Sequence, residues 1–364
     1  HLAEAEVFKN FNNPDYLFGT YFAIPSMIKS NSLYVYFCSL NIFPNVEFAN
    51  KIFYAIYIIL LPVSVWSIIK VFKGNSFYSL LSFFFLINHN VHWGFVSYMM
   101  SLPVIIFTFL SFYQYFVLNK HRYAYFIWLL FILIFFLHFQ MAIFSILIFT
   151  LLTITYQRKI SYKILINTLS IIPVLVIMVY AYSIDSQNNT TSLFSYMLHY
   201  YTSNYFKTFL DRFNVLFVVD NYFILRDIPG VIFSLAFTLP LALLFIAKTI
   251  IFRISKILEN QILKFTSIIL ITILLCFFFL PDVIPGQNII FERYSVLFFL
   301  MIIIISSVIQ FNPNFENILK IIIPVIIFAQ TIFIIDYMLD FRDSTYDFTE
   351  EIFPDNSKIR LAGV

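Results

Sequence analysis

Charge is the first thing this sequence lacks. Asp, Glu, Lys and Arg make up 11% of its 364 residues, against roughly 25% in soluble globular domains. That excludes a soluble enzyme and a disordered chain. The formal net charge is only +3, too small a surplus for a polyanion-binding surface, so nucleic acid is excluded as a partner. Glycine is equally sparse, with six in the chain. There is no Gly-rich phosphate loop, no Walker motif and no Gly-x-Ser-x-Gly elbow, which argues against ATP-driven pumps and hydrolases of the soluble type. The two cysteines, Cys38 and Cys276, both sit in apolar stretches. They form neither a disulfide framework nor a metal-ligand set.

What fills the chain instead is apolar. Hydrophobic residues make up 61% and aromatic residues 21%, and the mean hydropathy is +0.88. Long apolar runs can satisfy their backbones in lipid only as helices. The expected fold is therefore all-α, a polytopic transmembrane helical bundle of about ten spans, with outer-face loops carrying short amphipathic helices. Residues 1–47, punctuated by Pro14, Pro25 and Pro44, read as a first outer (periplasmic) loop that is truncated at its start. Residues 48–339 read as the bundle. Its spans fall at about 49–70, 76–88, 93–118, 123–137, 140–156, 163–182, 230–252, 262–280, 294–311 and 316–339. A polar, aromatic-rich outer loop, 183–229, separates the sixth from the seventh. The acidic stretch 340–364 reads as the start of a C-terminal outer-face segment. A start at His1 and an end at Val364 are expected of a fragment.

Basic residues set the orientation. Lys120 and Arg122 precede the stretch 123–156, and Arg158, Lys159 and Lys163 follow it. A single crossing would put these clusters on opposite faces, whereas two crossings put both inside, as the positive-inside rule prefers. Applied throughout, this places twelve of the 22 Lys and Arg on the inner side but only two of the 19 acids, Glu259 and Glu316. Five of the six histidines fall outside. The outer face is thus expected to carry the chemistry.

Two hairpins are too short for the bilayer. Thirteen residues at ~1.5 Å each reach only ~20 Å, against a ~30 Å hydrocarbon core. Hairpin 76–118 turns around Asn88-His89-Asn90-Val91-His92, and hairpin 123–156 turns at His138-Phe139-Gln140. Polar backbone at depth is tolerated only against protein or water. The expectation is an outward-opening polar recess lined by His89, Asn90, His92, His138 and Gln140. The plainer alternative is that these residues cap helix ends at headgroup level.

Several residue types in these outer segments suit chemistry. Glu4 and Glu6 are carboxylates on an outer loop and suit a general base toward an acceptor hydroxyl, or are ordinary solvated charges. Arg293 follows Glu292 at the start of a span, where the helix dipole prefers anions. It suits bidentate phosphate binding, or else it snorkels and pairs with Glu292. No His-Glu-x-x-His motif and no Cys partner accompanies the histidines, so no transition-metal site is assigned. A weakly held Mg²⁺ or Mn²⁺ between carboxylates and a phosphate is compatible with the residue types.

Several segments resemble a known pattern. These are His1-Leu2-Ala3-Glu4-Ala5-Glu6 at the opening and Glu47-Phe48-Ala49-Asn50-Lys51 entering a span. His92-Trp93-Gly94-Phe95 followed by Ser101-Leu102-Pro103 is a third, the apolar span broken at His138 a fourth, and Glu292-Arg293-Tyr294 after a Pro- and Gly-containing loop a fifth. Together they resemble bacterial polytopic glycosyltransferase-like proteins of the GT-C superfamily. The resemblance implies sugar transfer from a polyprenyl-phosphate-linked donor on the outer face of the bacterial cytoplasmic membrane. It makes His1 the last member of an Asp-x-Pro-x-His motif whose catalytic Asp precedes this chain. It gives Arg293 the donor phosphate, and His1, His92 and His138 the shaping of the pocket.

The leading expectation is an inverting membrane glycosyltransferase acting on a cell-envelope acceptor. An O-antigen-type polymerase or ligase is a second enzymatic reading. A transporter or flippase for a lipid-linked glycan is the non-enzymatic one. Transporters often carry inverted repeats and polar groups at the midplane. Here no repeat is visible and the polar residues gather toward the outer face, which favours the enzyme.

Overall fold

The computed structural model describes residues 2–22, 29–86, 88–92, 94–156, 260–280, 283–284, 287–288, 291, 293–309 and 316–332, together with isolated helical positions at 172, 175–177, 209, 212, 216, 335 and 339. The expected spans 163–182 and 230–252, the loop 183–229 apart from those positions, and the segment 340–364 lie outside the described residues. The chain divides into two compact units. The first is 1–24, 35–53 and 311–364, and the second is 25–34 and 54–310.

Three short helices occupy the opening segment: α1 (Leu2–Lys9), α2 (Phe18–Tyr21) and α3 (Leu33–Cys38). In the first unit the Lys9 ammonium donates to the Phe43 carbonyl at 2.7 Å, and Phe37 packs between Phe43 and Phe53. A helix at 316–332 also belongs to this unit and carries many exposed apolar side chains, among them Ile321 and Phe328.

The long helix α4 (Val46–Val71) leads into the second unit. Its 26 residues extend ~39 Å, enough for a ~30 Å hydrocarbon core. It ends with Lys73 in the left-handed region and the Gly74 amide donating back to Ile69, a Schellman-type stop. A 3₁₀ helix follows (Ser76–Phe85), then α5 (His89–His92). Next comes α6 (Val96–Phe112), which continues as a π turn to Val117, then α7 (Tyr123–Leu137) and α8 (Phe139–Tyr156). Beyond the undescribed stretch come α9 (Gln261–Phe279), a small antiparallel ladder of β1 (Val283–Ile284) with β2 (Gln287–Asn288), and α10 (Arg293–Val308). The described part is thus all-helical apart from that ladder. Four of its helices, Val46–Val71, Val96–Val117, Phe139–Tyr156 and Gln261–Phe279, are long and apolar enough to cross a membrane. Three more, Ser76–Phe85, Tyr123–Leu137 and Arg293–Val308, are apolar but shorter.

The stretch read as a short span at 76–88 is 3₁₀ rather than α. The sequence repeats serine every third residue, at Ser76, Ser79 and Ser82. Ser79 and Ser82 each donate their hydroxyl to the carbonyl three residues back, at 2.7 and 2.6 Å. A three-residue turn eclipses such positions and buries them on one face. This segment runs antiparallel to α10. The Asn75 amide donates to the Ser307 carbonyl at 2.9 Å, and nearer the other end Phe85 stacks on Phe299 at 5.5 Å. Gly74 permits the close approach, since a Cβ there would stand 2.9 Å from the Ser307 carbonyl oxygen and 2.6 Å from its hydroxyl. Gly74→Ala is expected to cost about 1–3 kcal/mol by overpacking, read as a lower Tm of the chain in nanodiscs.

The stretch 123–156 reverses at His138, whose extended backbone (φ −159°, ψ 112°) breaks the helix. Phe149 then packs on Phe131, Phe112 and Phe116, and Tyr156 returns to Phe116 at the end of α6, near where α7 begins. Helices α7 and α8 are therefore an antiparallel hairpin and not one long helix. Buried hydroxyls cost nothing extra in this apolar setting because they turn back on their own helices. Thr108 donates to Val104 and Ser145 to Met141, both at 2.8 Å.

These pairings give the second unit two distinct ends. Phe72 at the end of α4 meets Tyr113 of α6 and Phe265 of α9, while Tyr156 of α8 accepts the Lys264 ammonium over its ring at 5.3 Å. Lys70, Lys73, Lys120, Arg122 and Lys264 thus gather at one end. The starts of α6, α8 and α10 lie at the other.

Candidate functional site

The end opposite the basic cluster carries the polar core. Helix α10 is buried along nearly its whole length and begins at Arg293, which is only 6% exposed. One guanidinium nitrogen, Nη1, lies 2.8 Å from His138 Nε2 and donates to Gln140 Oε1 at 3.2 Å. The guanidinium sits over the Phe95 ring at 4.8 Å, with the Tyr98 ring at 5.8 Å. Tyr98 donates its hydroxyl to the Arg293 carbonyl and meets the His138 ring edge-on at 5.3 Å. The Tyr294 hydroxyl joins through Gln140 and the Cys276 thiol.

Each contributor is placed by a local reason. His138 occupies the break between α7 and α8, and Gln140 follows in the first turn of α8. Asn31 fixes that break from a distance. It sits in the left-handed region at φ 61°, its side-chain oxygen accepts from the Phe139 amide at 3.0 Å, and its carbonyl accepts from Ser97 at 3.5 Å. It is thus an N-terminal cap for α8 supplied 108 residues away. Asn31→Ala removes that cap and strains the backbone at positive φ. It is expected to cost about 1–2 kcal/mol, whereas Asn31→Asp, which keeps the acceptor and tolerates this conformation, is expected to cost much less. Thermal unfolding of both variants checks this.

Gly94 makes the turn into α6 at φ +70°, a conformation that favours glycine. Ahead of it, the Asn90 carbonyl accepts from the Phe95 amide at 2.9 Å, and Asn88 caps α5 through the Asn90 amide at 2.9 Å.

Of the residues expected to line a recess, His138 and Gln140 come together with Arg293. Glu292, whose pairing with Arg293 was the alternative to phosphate binding, lies outside the described residues. Three residues of that expected lining are buried: His138 is 6% exposed, Gln140 8% and Asn90 0%. His89 and His92 lie on α5, but their side chains, like His1, fall outside the described residues. Glu4 and Glu6 lie on α1 in the first unit, where Glu6 accepts from the Asn10 amide at 2.8 Å. Sequence reasoning missed Asn31, Phe95 and Tyr98. An asparagine within Lys29-Ser30-Asn31-Ser32 signals a turn, but nothing in the sequence names its distant partner.

Arg212 is a second buried arginine, 1% exposed. It donates to the Phe277 and Phe278 carbonyls at 3.0 and 2.7 Å and covers the Phe291 ring at 4.2 Å. A cation on the last carbonyls of α9 complements the negative end of its dipole. Among the described residues, no three His, Cys, Asp or Glu side chains gather as a metal site.

A buried cation at the positive end of a 16-residue helix is suited to an anion, because the helix dipole and the guanidinium act in the same direction. The fork of the guanidinium matches phosphate oxygens. No family model, no curated protein and no solved structure matches this chain.

Proposed function

We propose that this chain is a membrane enzyme that transfers a sugar from a polyprenyl-phosphate donor to a cell-envelope acceptor, at the outer face of a bacterial cytoplasmic membrane. The observation that carries this reading is the burial of Arg293 at the start of α10, clasped by His138 and Gln140, at the end of the second unit away from Lys70, Lys73, Lys120, Arg122 and Lys264. The positive-inside rule puts the basic end in the cytoplasm and the arginine end outward. Helix α10 extends ~24 Å and α7 ~22 Å, both short of a ~30 Å core. In this reading the arginine lies just inside the outer edge of the hydrocarbon core, within reach of a lipid phosphate above it. The resemblance of several segments to the GT-C superfamily points the same way.

In this reading a base takes the acceptor hydroxyl proton as that oxygen attacks the sugar carbon. The carbon–oxygen bond to the phosphate breaks, and Arg293 stabilises the departing phosphate. Mg²⁺ or Mn²⁺ is a compatible helper. The test uses the chain in proteoliposomes with a polyprenyl-phosphate-linked sugar on the outer side. Release of the polyprenyl phosphate together with a glycosylated acceptor is the expected result. Movement of the intact lipid across the bilayer, with the sugar–phosphate bond unbroken, would instead establish the transporter reading.

A further inference from the structure

We propose that His138 is a locked, neutral hydrogen-bond donor to the anion that Arg293 attracts, with its proton held on Nδ1 by the arginine itself. This deepens the phosphate reading above and rests on it. A guanidinium has five N–H donors and no acceptor, and it stays charged in proteins. With Nη1 at 2.8 Å from Nε2, that ring nitrogen has one role left, to accept with its lone pair. The imidazole is then neutral and its proton is on Nδ1.

Nδ1 is buried and meets no hydrogen-bond partner among the described residues. A buried donor left unmatched is costly, and one in a native protein calls for an explanation. An oxygen acceptor supplied from outside the chain removes that cost. A phosphate on Arg293 brings oxygens to this neighbourhood. The side chain of Asn90, entirely buried at the same end, is also unmatched at both its nitrogen and its oxygen. Two separate segments at this end of the second unit thus carry unmatched buried polar atoms.

The geometry also separates the two side chains by role. Arg293 supplies charge and long-range attraction. His138 supplies direction without charge, so it adds selectivity for an acceptor oxygen and no repulsion toward its neighbour. It is a binding residue in this scheme and takes no proton from the acceptor, because its only free lone pair is committed to the arginine.

The test is ¹⁵N NMR of the whole chain with labelled histidine in phosphatidylcholine nanodiscs, the His138 signals being identified by their loss in a His138 variant. The probe is a polyprenyl phosphodiester bearing a sugar, added to saturation as judged by native mass spectrometry. The expected spectrum shows a protonated Nδ1 and a bare Nε2, and the Nδ1 proton moves downfield as the lipid binds. His138→Gln can still accept from Arg293 but lacks the donor at Nδ1, and it is expected to lose about tenfold in lipid affinity, the worth of one hydrogen bond to an anion. His138→Asn places an amide nitrogen near the Nδ1 position and is expected to stay within about threefold of the parent.

A proton on Nε2, or an Nδ1 proton that does not move at lipid saturation, overturns the inference and leaves the phosphate reading standing. The second of these outcomes would mean that a trapped water occupies the donor. Absence of saturable lipid binding by the parent chain overturns both. The parent spectra decide the matter even where one of the two variants fails to fold, since the other identifies the His138 signals.

Discussion

Arg293→Ala is expected to lower the stability of the chain in nanodiscs by about 3–5 kcal/mol. Two buried acceptors, His138 Nε2 and Gln140 Oε1, lose their donor together, and each unmatched buried group costs about 1–3 kcal/mol. The aromatic faces of Phe95 and Tyr98 lose the cation that covers them, a further loss of about 0.5–2 kcal/mol. Arg293→Lys separates stability from function. Lysine keeps the charge but has no planar fork, so it cannot hold His138 and Gln140 and still present a two-point face to phosphate. It is expected to recover part of the stability while lipid-phosphate affinity falls by about tenfold or more. Tm measurements paired with native mass spectrometry of lipid binding check both effects. A lysine variant that binds the lipid like the parent would show that charge alone suffices and that the clasp has no role in recognition.

The second large effect is expected at Phe299. This side chain is fully buried in the middle of α10 and stacks on Phe85 with an interplanar angle of 14°. Lipid tails are as apolar as the side chains, so helix association in a bilayer depends on packing more than on removal from water. Phe299→Ala leaves a cavity between α10 and the 3₁₀ helix and is expected to cost about 3–5 kcal/mol. Phe328→Ala is the matched control. That ring is 68% exposed on the 316–332 helix, and its loss is expected to change stability by less than about 0.5 kcal/mol. Equal effects at the two positions would mean that α10 is not the central element. The first substitution also bears on the site, since α10 carries Arg293 at its start.

How far the sequence foretells this arrangement differs from element to element. The helical character was legible because long apolar runs leave the backbone no other way to satisfy itself in lipid. The hairpin at His138 was legible from charge, since basic clusters flank both of its ends. The helix type at Ser76–Phe85 was not, because an apolar run looks alike in either helix. Its three-residue serine repeat is the signal that distinguishes them. His138, Gln140 and Arg293 each stood out as polar residues at helix ends. Their meeting did not, because 155 residues separate His138 from Arg293 and only packing closes that gap. The depth of burial of His138, Gln140 and Asn90 was not legible either, because it depends on which helices meet. Asn31 was invisible for another reason: its role depends on a left-handed backbone and a partner on a distant helix.

Photocrosslinking with a polyprenyl phosphate probe carrying its reactive group beside the phosphate distinguishes the two ends of the second unit. Labelled peptides are mapped by mass spectrometry after the reaction in nanodiscs. A phosphate site at Arg293 predicts labelling of the His138–Gln140 junction and of the first turn of α10, reduced in Arg293→Lys. Labelling instead around Lys70–Lys73, Lys120–Arg122 or Lys264 would place the lipid phosphate at the opposite end and contradict the proposal.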